Sequence, residues 1–124
     1  MKKNPAASWP IIYKDMSREG LKLSFQANRQ YALAKDQYTS TSYDDFMAMS
    51  MAVRDRLVER WILTQQRYHS QNVKRVYYFS MEFLIGRLFG SNIQNLGLSK
   101  QVNSVCEDLD IELDKLRDNE LDAG

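Results

Sequence analysis

Between Ser42 and His69 apolar side chains recur at helical steps. Phe46, Met49, Val53, Leu57 and Trp61 lie three or four residues apart, and Met47, Met51, Val58 and Ile62 widen the same stripe. Asp44, Asp45, Arg54, Arg56, Glu59 and Arg60 occupy much of the remainder. The spacing predicts one helix, roughly 40 Å long at about 1.5 Å per residue and longer than most globular helices. The preceding stretch "DQYTSTS" (Asp36 to Ser42) is a hydroxyl-rich break, and Thr41 followed by Asp44 forms a short-armed relative of the capping box. A rod apolar along one side needs a partner surface. A chain of 124 residues cannot supply all of it.

The flanking segments are shorter. Residues 1–16 contain Pro5 and Pro10 and no sustained period, so they read as an extended arm. From Ser17 a helix is expected through Leu21, Phe25 and Ala32, weakened by Gly20 and Asn28. "SQNVK" ends the long helix, and "VYYFS" (Val76 to Ser80) reads as a strand buried on both faces, because β-branched and aromatic residues run there without alternation. After Gly86 the pattern turns helical through Leu88, Phe89, Ile93 and Leu96, with Gly97 at the C′ stop. Ser99 is expected to cap the next helix, whose inner face holds Val102, Val105, Cys106 and Leu109. A last short piece runs from about Glu112 to Arg117. The end at "ELDAG" reads as a truncation. No internal repeat or low-complexity tract is present.

Charge and cysteine content remove several classes of function. Seventeen basic and sixteen acidic residues leave a net charge of +1, so no long-range field recruits nucleic acid or an anionic membrane. Cys106 is the only cysteine and His69 the only histidine. An internal disulfide and a zinc site are thereby excluded. No apolar run approaches about 18 residues, and Pro5, Ser8, Trp9, Pro10 and Lys14 break any signal-peptide core, which makes the cytoplasm the default compartment.

Each chemistry-bearing side chain has a structural reading beside its functional one. Cys106 sits among apolar helix positions and reads as core. His69 near a helix C-terminus suits the macrodipole, although "QQRYH" also offers donors to an anion. Asp44 and Asp45 suit a first helical turn better than paired-carboxylate chemistry. Glu82 stands directly after the expected strand, either as the charged lip of that strand or as part of a site at a strand's carboxyl end. On these grounds alone the chain is a mostly helical, incomplete α/β piece without an assembled active site.

Three blocks, "VRDRLVERW" with "TQQ", "KRVYYFSMEFLIGR" and "LDAG", resemble the N-terminal part of the α-glucan phosphorylases, the glycogen, starch and maltodextrin phosphorylase family. The resemblance runs from about Leu21 to Gly124, where the family continues into a glycine-rich loop. It implies that 17–124 is the opening of the first of two α/β domains in a glycosyltransferase-B-like fold, here mostly α-helical with one buried strand near 76–80. It implies a pyridoxal-phosphate enzyme that uses inorganic phosphate to release glucose 1-phosphate from non-reducing ends of α-1,4-glucans. The cofactor and its lysine are then expected outside this chain, so the fragment itself is inactive. Glu82 would lie at the catalytic cleft near the bound sugar or phosphate, organising other groups rather than acting as acid or base.

The family's nucleotide site transfers only in part. Gln65, Gln66 and, from a partner subunit, Asp36 match it. His69 stands where a tyrosine stacks on adenine and Leu63 where an arginine stands, each loss worth about 1 to 3 kcal/mol, which removes useful affinity. The arm carries Ser8 without a following basic cluster, so regulation by phosphorylation there is not expected. The resemblance also implies a homodimer. The alternative reading, from a different class, is an inactive helical dimerisation or interaction module.

Overall fold

The computed structural model describes residues 10–82 and 85–122. Five α-helices follow in order: α1 (Arg18–Ala27), α2 (Ser42–Gln71), α3 (Phe89–Asn95), α4 (Ser99–Asp108) and α5 (Leu113–Arg117). The described chain is mostly helical, as expected for this stretch.

Local chemistry accounts for most boundaries. Ser17 caps α1, its Oγ accepting from the Gly20 N–H at 3.1 Å. Gly20 is required there because a Cβ at this position would collide with the Asp15 side chain. At Asn28 the helix loosens into a π-helical segment, Asn28–Ala32, in which the Leu33 N–H reaches back to the Asn28 carbonyl at 3.1 Å. Thr41 and Asp44 make a full capping box at the start of α2. Asn72 ends α2 in the left-handed region, φ 47°, with the Val73 N–H bonded to the Tyr68 carbonyl.

Gly97 closes α3 as expected: its φ is +72°, and the Leu98 and Gly97 N–H groups bond the Ile93 and Gln94 carbonyls, a Schellman motif. That turn delivers the chain into α4 so directly that Leu98 takes the cap position. Ser99 is the first helical residue and its side chain makes no cap.

The core sits at one end of α2. Leu21 and Phe25 of α1 meet Ala48, Met49, Ala52 and Val53 of α2, and α3, α4 and α5 close it with Phe89, Ile93, Val102, Val105, Cys106 and Leu116. Phe46 and Phe89 pack edge to face at 5.4 Å. Beyond Arg56 no α2 residue is buried. The last fourteen or so residues therefore project about 20 Å past the core, exposing Trp61, Ile62 and Leu63.

The strand expected over 76–80 does not form. Val76 and Phe79 are each 89% exposed, and no strand exists among the described residues. Composition fits a strand there, but a strand needs a neighbour to saturate its N–H and C=O groups. No second strand lies among the described residues to pair with it.

Candidate functional site

The charge pattern places Arg56 on the polar face of α2, yet it is 1% exposed. It lies three residues after Val53 and seven after Met49, so helical spacing puts it on the apolar stripe. Its Nη1 donates to the Ala52 carbonyl at 2.8 Å and to Ser24 Oγ at 3.4 Å, and its Nη2 donates to the Asp15 carbonyl. Burial pulls its pKa down, opposed by the charges of Asp55, Asp15 and Glu59. Beside it the Lys14 N–H donates to Glu59 Oε2 at 2.7 Å and Lys14 Nζ pairs with Asp55 at 3.2 Å. The guanidinium is the peg on which the arm, α1 and α2 meet. The spacing of Arg56 was the signal that could have identified it.

The positions carried over from the family's nucleotide site do not converge within one chain. Asp36 precedes α2, where its Oδ1 accepts from the Tyr38 and Thr39 N–H groups (3.0 and 2.8 Å) and from Thr39 Oγ1 (2.8 Å). Those bonds, led by the Thr39 hydroxyl, hold its carboxyl below the usual carboxylate range. Gln65, Gln66 and His69 lie in the last turns of α2. A 30-residue helix is about 45 Å long, so most of that length separates them from Asp36.

Gln65 and Gln66 also line different clefts. Gln65 faces one of ≈ 410 Å³ with Tyr68, Lys74 and Arg75, and Arg75 stacks over the Tyr68 ring at 5.9 Å. Gln66 faces one of ≈ 530 Å³ closed by Pro10, Ile11 and Ile12 of the arm. Asp36 lines a third, ≈ 430 Å³, with Arg29 and Lys35.

Glu82 is exposed, and its N–H donates to Ser80 Oγ at 3.0 Å. Residues 83–84 of its motif, and 123–124 of "LDAG", lie outside the described residues, as does Ser8. Cys106 is buried, and desolvation pushes its thiol up to about 11, so no thiolate nucleophile is present at neutral pH. Asp44 serves the capping box, and Asp45 accepts from Ser40 Oγ at 2.7 Å and pairs with Arg29.

Lys14, Lys22, Lys35, Lys74, Lys100 and Lys115 all lie at or near the surface. None offers a sequestered amine, so the described residues do not fit the aldehyde of pyridoxal phosphate. Among the described residues no group of three or more His, Cys, Asp or Glu side chains could hold a metal ion, and no helix is long and apolar enough to cross a membrane.

A second network was not legible in the sequence. α3 has no local side-chain cap, and the Leu88 N–H instead donates to Glu120 Oε1 at 2.6 Å, while the Phe89 N–H reaches both Glu120 oxygens at 3.1 Å. Arg87 Nε donates to Asp122 Oδ1 at 2.6 Å. No periodicity announces a cap supplied from 31 residues away.

No family model matches the chain. Among curated relatives, it is 41% identical over 101 residues to the brain form of glycogen phosphorylase from Bos taurus, covering 82% of this chain. It is 40% identical over 104 residues to the liver form from Homo sapiens and 38% identical over 104 residues to the muscle form from Ovis aries. The chain spans about 12% of the length of these relatives.

Proposed function

Since the chain belongs to the glycogen phosphorylase family, we propose that it forms the opening of the first domain of an α-glucan phosphorylase and serves there as scaffold and dimer surface. The observation that carries this reading is the identity of about 40% along four-fifths of the chain. The geometry supports it. The distal half of α2 and the Val76–Phe79 run leave apolar surface for other parts of a larger protein.

On this reading the whole protein is a glycosyltransferase that cleaves α-1,4-glucans with inorganic phosphate to give glucose 1-phosphate. Pyridoxal phosphate, held elsewhere in the protein, supplies the phosphate group that exchanges a proton with the substrate phosphate. Glu82 stands at the cleft and organises the groups around sugar or phosphate. A dimer brings the Asp36 turn of one copy toward Gln65, Gln66 and His69 of the other, since one chain holds them at opposite ends of α2. With His69 and Leu63 at the stacking and cation positions, nucleotide contributes no useful activation.

The test is direct. The full-length protein, given glycogen and inorganic phosphate, should release glucose 1-phosphate, and the 124-residue chain alone should release none. Glu82→Gln in the full-length protein should lower turnover far more than folding stability. Full turnover at equal stability would refute the role given to Glu82. An absence of phosphorolysis by the loaded full-length protein would refute the enzyme reading and leave the helical interaction module in its place.

A further inference from the structure

The turn from Gly86 into α3 is held from far along the chain. Arg87 sits in the left-handed region, φ 55°, a conformation that costs a non-glycine residue free energy and needs outside support. Support comes from the segment after α5. Glu120 accepts the N–H groups of Leu88 and Phe89, and Asp122 pairs with the Arg87 guanidinium at 2.6 Å. Glu120 itself is half-buried, which screens its bonds from solvent better than an open surface would. Arg87 is exposed, and so is Asp122. The carboxylate that caps the helix thus does more of the holding than the ion pair beside it.

We propose that Glu120, assisted by Asp122, is a positioning residue: it fixes the turn at Arg87–Phe89 and through it the preceding segment that carries Glu82. This rests on the reading of Glu82 given above. Glu82 lies five positions before Arg87, a reach of at most about 18 Å, so the fixed turn limits where Glu82 can stand. Neither Glu120 nor Asp122 need touch substrate. Their effect passes through the turn.

Full-length protein tests the proposal by two independent readouts. Amide exchange over Ile85–Phe89 should rise about tenfold in Glu120→Ala, the size expected for a lost cap. Glu120→Gln should restore most of the protection, because both amides already reach a single oxygen, Oε1. Turnover in phosphorolysis should fall about tenfold in Glu120→Ala with KM for glucan within about twofold, and in a Glu82→Gln background the same substitution should cost no more than about twofold.

Unchanged exchange, or independent and multiplicative losses from the two substitutions, would overturn the proposal. Full activity of Glu82→Gln alone would sink the reading of Glu82, while exchange would still judge the clasp. Should Glu120→Ala yield no folded protein, Glu120→Asp, which draws the carboxylate back by one methylene, serves: exchange over Ile85–Phe89 should rise and turnover fall together, and unchanged exchange would overturn the proposal.

Discussion

Arg56 shows how a single charge can organise a small core. A guanidinium does not lose its proton at accessible pH, and its burial is offset by two carbonyls and a hydroxyl that receive its Nη donors, while Nε finds no partner among the described residues. Arg56→Ala would leave the Asp15 carbonyl and Ser24 without their donor and open a void. Urea unfolding of the chain should show a loss of about 2–4 kcal/mol, whereas Arg56→Met, which fills the space, should lose less. A loss below about 0.5 kcal/mol for the alanine variant would show that the peg is dispensable.

Acid sensitivity belongs to the same scale. Hydrogen bonds from Ser17 to Asp15, from Thr39 to Asp36 and from Thr41 to Asp44, together with the Arg18 and Lys22 cations at Asp108, depress these four carboxyls in the folded state. A depressed carboxyl favours folding above its unfolded value, about 3.9, and that contribution disappears as pH falls through the lower native values. Stability should therefore be flat in these groups from neutrality to about pH 5 and decline below about pH 4. A decline beginning near pH 6 would point to other groups. The hydroxyl pattern around Thr41 was legible in sequence, whereas the long-range partners of Asp108 were not, because pairing across 86 and 90 residues depends on how α1 and α4 pack.

At the scale of elements, helices were readable because their chemistry is local. Thr41 and Asp44, the Met49–Val53 stripe and Gly97 lie within a turn or two of the structure they determine. Gly97→Ala should cost about 1 kcal/mol, and the cost should be one of backbone alone, since nothing lies within 4 Å of an added Cβ. A neutral result in thermal unfolding would mean that the Schellman turn relaxes freely. The Val76–Ser80 run failed as a strand for the opposite reason: residue type describes how a segment would pack, but pairing requires a second segment. The cap on α3 was hidden for a related cause, its acceptor coming from Glu120.

On the scale of the whole molecule, one end of α2 is a packed core and the other a projecting arm. Its distal exposure includes Trp61 at 60%, and the chain continues into Val76, Tyr77, Tyr78 and Phe79, exposed at 71% or more. Such a contiguous apolar surface is unusual for a domain that functions alone. It fits a family whose members are some seven times the length of this chain, since the 101 matched residues are 12% of the relative. The candidate site was legible only through family blocks, since Asp36 and the glutamines of α2 lie too far apart for any one-chain geometry to unite them.

Amide exchange over Val76–Phe79, compared between the 124-residue chain and the full-length protein, tests this account most directly. Protection at least about a thousandfold greater in the full-length protein is expected, as sheet pairing and burial replace exposure to water. Equally fast exchange in both would contradict the claim that this surface is the opening of a larger α-glucan phosphorylase body.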